Sequence, residues 1–77
     1  MKFDNPFIAR AGRYWENLDG ALRTFARPGI QEKPDGTQTP AVIIFRDRYV
    51  LSVLTIEDAV RISNELIDAT ESTQTNG

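Results

Sequence analysis

From Ile56 onward, apolar and small residues return every three or four positions. Ile56, Ala59, Val60, Ile62, Ser63, Leu66, Ile67 and Thr70 cover one half of a helical wheel, and Glu57, Arg61, Asn64, Glu65 and Asp68 the other. The spacing predicts an amphipathic helix lying on a core, with Ser63 and Thr70 small enough to let it approach a sheet closely. Thr55 suits the N-cap, its hydroxyl placed to accept from the amide of Asp58, which stands where a capping box carries Glu or Gln. Glu57 and Asp58 add negative charge at the positive end of the helix dipole. After Glu71, STQTNG has nothing to bury, so one domain is expected over residues 1–71 and a disordered tail over 72–77.

The pattern before the helix is different. Val42, Ile43, Ile44 and Phe45, then Tyr49, Val50, Leu51, Val53 and Leu54, are mostly β-branched or aromatic and suit strands. Two antiparallel strands turning at Asp47-Arg48 pair Arg46 with Tyr49, Phe45 with Val50, Ile44 with Leu51 and Val42 with Val53. Both faces of that hairpin are then apolar, whereas a sheet wet on one side alternates apolar and polar. The terminal helix can cover one face. The other needs the N-terminal third or a second copy of the chain. Upstream, Lys33-Pro34-Asp35-Gly36-Thr37 is a turn, linking a short candidate strand from Gly29 to Lys33 to the first apolar strand.

Two readings compete in the N-terminal third. Phe7, Ala11, Tyr14, Leu18, Leu22 and Phe25 recur at helical spacing behind an Asn5-Pro6 start. Gly12 and Gly20 weaken such a helix by about 1 kcal/mol each. Asp19-Gly20 is a favoured hairpin turn that sets Tyr14 opposite Phe25, so a hairpin of residues 13–18 and 21–27 is the preferred expectation. Trp15, the single tryptophan, is expected in the core. The fold class is therefore α+β: an antiparallel sheet of three to five strands with the C-terminal helix packed on one face.

Composition narrows the function. With 77 residues and no cysteine, the chain is one small domain whose core is marginal, and packing or self-association must reinforce it. Without His or Cys there is no imidazole base, thiolate nucleophile or ordinary zinc site, and no Gly-rich phosphate loop is present. Glu57-Asp58, the adjacent acidic pair, is explained by its place at a helix start. No catalytic, cofactor-binding or metal-binding residue is expected. No apolar run is long enough to cross a bilayer and no secretory signal is evident, so a soluble cytoplasmic protein without a membrane partner is expected.

Charge is unevenly placed. The net is −2, yet residues 1–50 carry +2 and residues 51–77 carry −4. Arginines and aromatics interleave before the helix. Tyr14, Trp15, Arg23, Arg27, Arg46, Arg48 and Tyr49 are the candidate partner-binding residues, because Arg forks and aromatic faces are enriched at protein interfaces. Arg46 and Arg48 in particular could form a binding rim with Tyr49 around the turn. The same mixture would suit nucleic acid, although the acidic total argues against it.

Residues 40–69, PAVIIFRDRYVLSVLTIEDAVRISNELIDA, carry FRDRYVLSVLT followed by EDA and an amphipathic helix. They resemble the strand–strand–helix ending of short uncharacterised proteins of actinobacteria and their phages. That resemblance implies no site residues, only a small accessory or phage-derived protein that binds something larger. The expectation is a non-enzymatic protein-interaction or regulatory module, self-associating as a homodimer through the sheet's second face or its edge strands. A small nucleic-acid-binding regulator is the alternative.

Overall fold

The computed structural model describes residues 7–75, and side chains as far as residue 72. A 3-10 turn, Ala11–Arg13, leads into helix α1 (Tyr14–Leu22). Strands β1 (Thr24–Glu32), β2 (Gln38–Arg46) and β3 (Tyr49–Thr55) follow, and then helix α2 (Ile56–Thr75). The strands form one antiparallel sheet in the order β1-β2-β3, so the chain is α+β.

The β2–β3 hairpin turns on Asp47 and Arg48, as the apolar pattern predicts. Asp47 has φ 56°, and Arg48 does not share the positive sign. Positive φ at the first turn residue alone is what a type II′ turn gives to glycine. Asp47 is held there by its amide, which donates to the Arg23 carbonyl at 3.0 Å, and by a 3.3 Å ion pair with Arg23 Nε. The β1–β2 turn at 33–37 is also as read. Gly36 takes φ 92°, and Asp35 Oδ1 accepts from both the amide and the hydroxyl of Thr37.

Beyond the turn the expected register holds for two pairs only. Arg46 faces Tyr49 and Phe45 faces Val50, but a bulge then makes Ile44 face Ser52, Ile43 face Val53 and Val42 face Leu54. The expected pairs Ile44–Leu51 and Val42–Val53 are therefore corrected. One extra residue on β3 exchanges Val53 and Leu54 between faces, because side chains alternate along a strand. One face carries Phe25, Ala41, Ile43, Phe45, Val50 and Val53; the other carries Ile30, Val42, Ile44, Tyr49 and Leu54. Both remain apolar.

The N-terminal third is where the preferred reading fails. Residues 13–18 and 21–27 are not a hairpin: α1 runs through Asp19-Gly20, and β1 starts at Thr24, absorbing the short strand expected from Gly29. Asp19 does not turn the chain but pairs at 2.8 Å with Arg23 one helical turn on, while Gly20 makes room for Arg46. The helical alternative began at Asn5-Pro6, which lies outside the described residues. In α2, Thr55 Oγ1 accepts from the Asp58 amide at 3.0 Å, the predicted cap. The tail expected from residue 72 is helical as far as Thr75, and residues 76–77 lie outside the described residues.

Burial is sparse. Ala41, 3% exposed, is the buried apolar side chain among the described residues, and Gly20 is the other buried position. Trp15 is 76% exposed rather than in the core, because α1 turns that side away from the sheet. Ser63 and Thr70 do not ease α2 onto the sheet either. Among the described side chains of α2 only Asp58, Ala59 and Ile62 are half-buried, and every one from Ser63 to Ser72 is exposed.

Candidate functional site

Arg46, opposite Thr24 across the β1–β2 ladder, donates from Nε to Thr24 Oγ1 at 3.3 Å. Thr24 Oγ1 in turn donates to the Gly20 carbonyl at 2.7 Å. The Arg46 guanidinium lies over Gly20, where a Cβ would come within 3.2 Å of Cζ. Arg23 bridges Asp19 on α1 and Asp47 at the hairpin turn. These groups join the C-terminal end of α1 to the turn end of the sheet. Two of the predicted partner-binding arginines, Arg23 and Arg46, are thus engaged in the chain's own fold. Each Arg23 ion pair is partly exposed, so each contributes only about 0–1 kcal/mol.

The remaining predicted residues are not brought to one place. Tyr14 and Trp15 meet edge to face at 4.8 Å at the start of α1. Tyr49 stands opposite Arg46 and is 69% exposed, with Arg48 beside it in the turn. Arg27 lies on the other sheet face, in the row of Ile43 and Val53. Arg27 and Arg48 make no ion pair among the described residues, whereas Arg13 pairs with Glu16, and Arg61 with Asp58 and Glu65.

The arrangement offers little to chemistry. A hollow of about 140 Å³ lined by Gln31, Lys33, Thr39, Pro40, Ala41, Val53, Leu54 and Thr55 holds one titratable group. It is well below the roughly 300–1,000 Å³ of ordinary ligand pockets. The Asp35 carboxyl is held below the usual carboxylate range by the Thr37 amide and then the Thr37 hydroxyl, a turn effect. No cluster of acidic side chains among the described residues could hold a metal ion, and no helix there is long and apolar enough to cross a membrane.

What the fold presents instead is uncovered apolar surface. On α1, Tyr14, Trp15, Leu18 and Leu22 fall within about 100° of arc, and all are exposed, Leu22 at 87%. Across the sheet, Phe25 stacks on Phe45 at 5.3 Å, and Phe25, Val50 and Val53 of that face are open. On α2, Ile56, Val60, Leu66 and Ile67 are exposed. The sequence reading named Tyr14 and Trp15 but missed Leu18, Leu22 and Phe25. The signal of Leu18 and Leu22 was the helical repeat of the N-terminal third, set aside for the hairpin, whereas Phe25 lies on β1 beyond that helix. No family model, no curated protein and no solved structure matches the chain.

Proposed function

We propose that the chain is a non-enzymatic protein-interaction module that works as a self-associated pair. One observation carries this reading: among the described residues the lone chain buries a single apolar side chain, Ala41, and leaves sixteen large hydrophobic ones exposed. Burial of apolar side chains is the main force that offsets chain entropy, and a domain that forgoes it alone needs it from a partner. The dimensions agree. The accessible surface is 7141 Å², whereas scaling for 8.7 kDa gives about 4,700 Å². The radius of gyration is 15.7 Å, against roughly 11.5 Å for a compact chain of this length. The surplus of about 2,400 Å² is some three times what one partner of a standard interface contributes.

Edge pairing is the weaker of the two expected routes. β1 places Pro28, which has no amide hydrogen, in the middle of one free edge, and the bulge interrupts β3 at the other. Face burial is the route the exposed residues support. The nucleic-acid reading keeps less support, since Arg13, Arg23, Arg46 and Arg61 all face carboxylates or backbone-anchored groups of the same chain.

The test is light scattering on a sizing column from low to high micromolar concentration, with thermal unfolding of the same samples. Two copies per particle and a midpoint rising with concentration are expected. A single copy with a concentration-independent midpoint rejects the reading.

A further inference from the structure

We propose that Asp35-Gly36 is a modification site, where the backbone closes on the Asp35 carboxyl and reopens as isoaspartate, and that Thr37 sets its rate.

The chain holds two Asp-Gly pairs, Asp19-Gly20 and Asp35-Gly36. Aspartate before glycine is open to this rearrangement because no side chain shields the attacking amide nitrogen. The fold treats the two pairs oppositely. Gly20 is buried within α1, and its amide is directed along the helix axis toward the preceding turn. The Arg46 guanidinium covers that α-carbon, and Arg23 holds the Asp19 carboxylate at 2.8 Å. Neither reacting group there reaches the other without melting the helix.

At the β1–β2 turn both residues are exposed. A Cβ built on Gly36 would meet nothing within 4 Å, so its amide has open space about it. Hydrogen bonds are what restrain this pair. The Gly36 amide donates to the Lys33 carbonyl at 2.8 Å. Asp35 Oδ1 accepts from the Thr37 amide at 3.0 Å and the Thr37 hydroxyl at 2.7 Å. All lie in an exposed turn, where water exchanges for either partner.

The conversion needs no reagent but water. The Gly36 nitrogen attacks Asp35 Cγ and a Cγ–O bond breaks. The oxygen leaves as water, with the amide hydrogen and one proton from solvent. Water then adds to one of the two ring carbonyls, and the freed carboxylate releases a proton. Opening the bond from nitrogen to Cγ restores aspartate. Opening the bond from nitrogen to the Asp35 main-chain carbonyl carbon leaves isoaspartate, with the chain running through Cβ and Cγ. Thr37 opposes the first step, because its two bonds stabilise the carboxylate that must take up a proton before its oxygen leaves. The product adds one backbone atom to the β1–β2 turn, at the end of the sheet away from α1 and Asp47.

The test incubates the full chain at neutral pH and body temperature, then digests it with a protease that cuts before aspartate but not before isoaspartate. Growing resistance at Asp35 with Asp19 still cut is expected, beside a succinimide species lighter by one water. Thr37→Val keeps the side-chain shape and loses the hydroxyl. It should convert about fivefold faster, the factor that one hydrogen bond of ordinary net strength corresponds to. Because that variant could unfold, Asp19 is the internal control: urea, which melts α1, should bring the two sites to similar rates. No conversion at Asp35, conversion at Asp19 in step with it in the folded chain, or a Thr37→Val gain that is absent or matched at Asp19 overturns the proposal.

Discussion

The guanidinium of Arg46 roofs the α-carbon of Gly20, tying the last turn of α1 to the end of β2 through space that a larger residue would fill. The contact is with the far end of a flexible side chain, so Arg46 can yield by a few tenths of an ångström. Gly20→Ala is therefore expected to stabilise, the helix-propensity gain of about 1 kcal/mol outweighing the displacement. Gly20→Leu, which needs far more room, should destabilise. Urea unfolding of both, at one protein concentration, reads the difference.

Gly29 is the contrasting case. A Cβ there would lie 2.6 Å from Cγ1 of Ile43, a branched, half-buried side chain on the central strand. Gly29→Ala should cost about 1–3 kcal/mol by overpacking. In a double-mutant cycle with Ile43→Ala, the pair should cost less than the sum of the single changes. Strict additivity would show that the two positions do not touch.

At the hairpin turn, Asp47 bears a positive φ that glycine adopts freely. Asp47→Gly relieves the backbone while losing a half-exposed ion pair, so its unfolding free energy should stay within about 0.5 kcal/mol of wild type. Asp47→Ala loses the pair and keeps the strain, and should cost about 1 kcal/mol. Equal losses for both would assign the effect to Arg23 rather than to the turn.

Asp35 sets an acid-side dependence. Its pKa is lowered in the folded chain, below the ordinary carboxylate value, because it accepts bonds from Thr37. A depressed carboxylate supplies its stability above the unfolded pKa and loses it as pH falls through the folded one. Asp35→Asn should therefore unfold more easily than wild type at pH 7, and the gap should close below the folded pKa. A gap that persists in strong acid would mean the turn depends on shape rather than ionisation.

The elements that were legible in the sequence are those whose signals are local. The Thr55 cap, the period of α2, the Asp47-Arg48 turn and the Pro34–Gly36 turn each depend on a few adjacent side chains, and each appears where expected. Asp19-Gly20 misled because its local preference is overridden from a distance. Arg46, 26 positions away in the chain, packs its guanidinium over Gly20, and Arg23 takes the Asp19 carboxylate. The bulge at Leu51 left no glycine to announce it, so the faces of Val53 and Leu54 were exchanged. Apolarity on both sheet faces was readable because alternation fails there whichever register holds. The bareness of Trp15 was not, since a helical repeat shows which side is apolar and not what covers it.

β3 ends at Thr55 and α2 begins at Ile56, with no residue between them. A joint without slack ties the direction of the helix to the strand that launches it. Stiffness of that kind turns a short chain into a bracket. A partner fastened to the far end of the helix would be held at a set distance and angle from the sheet.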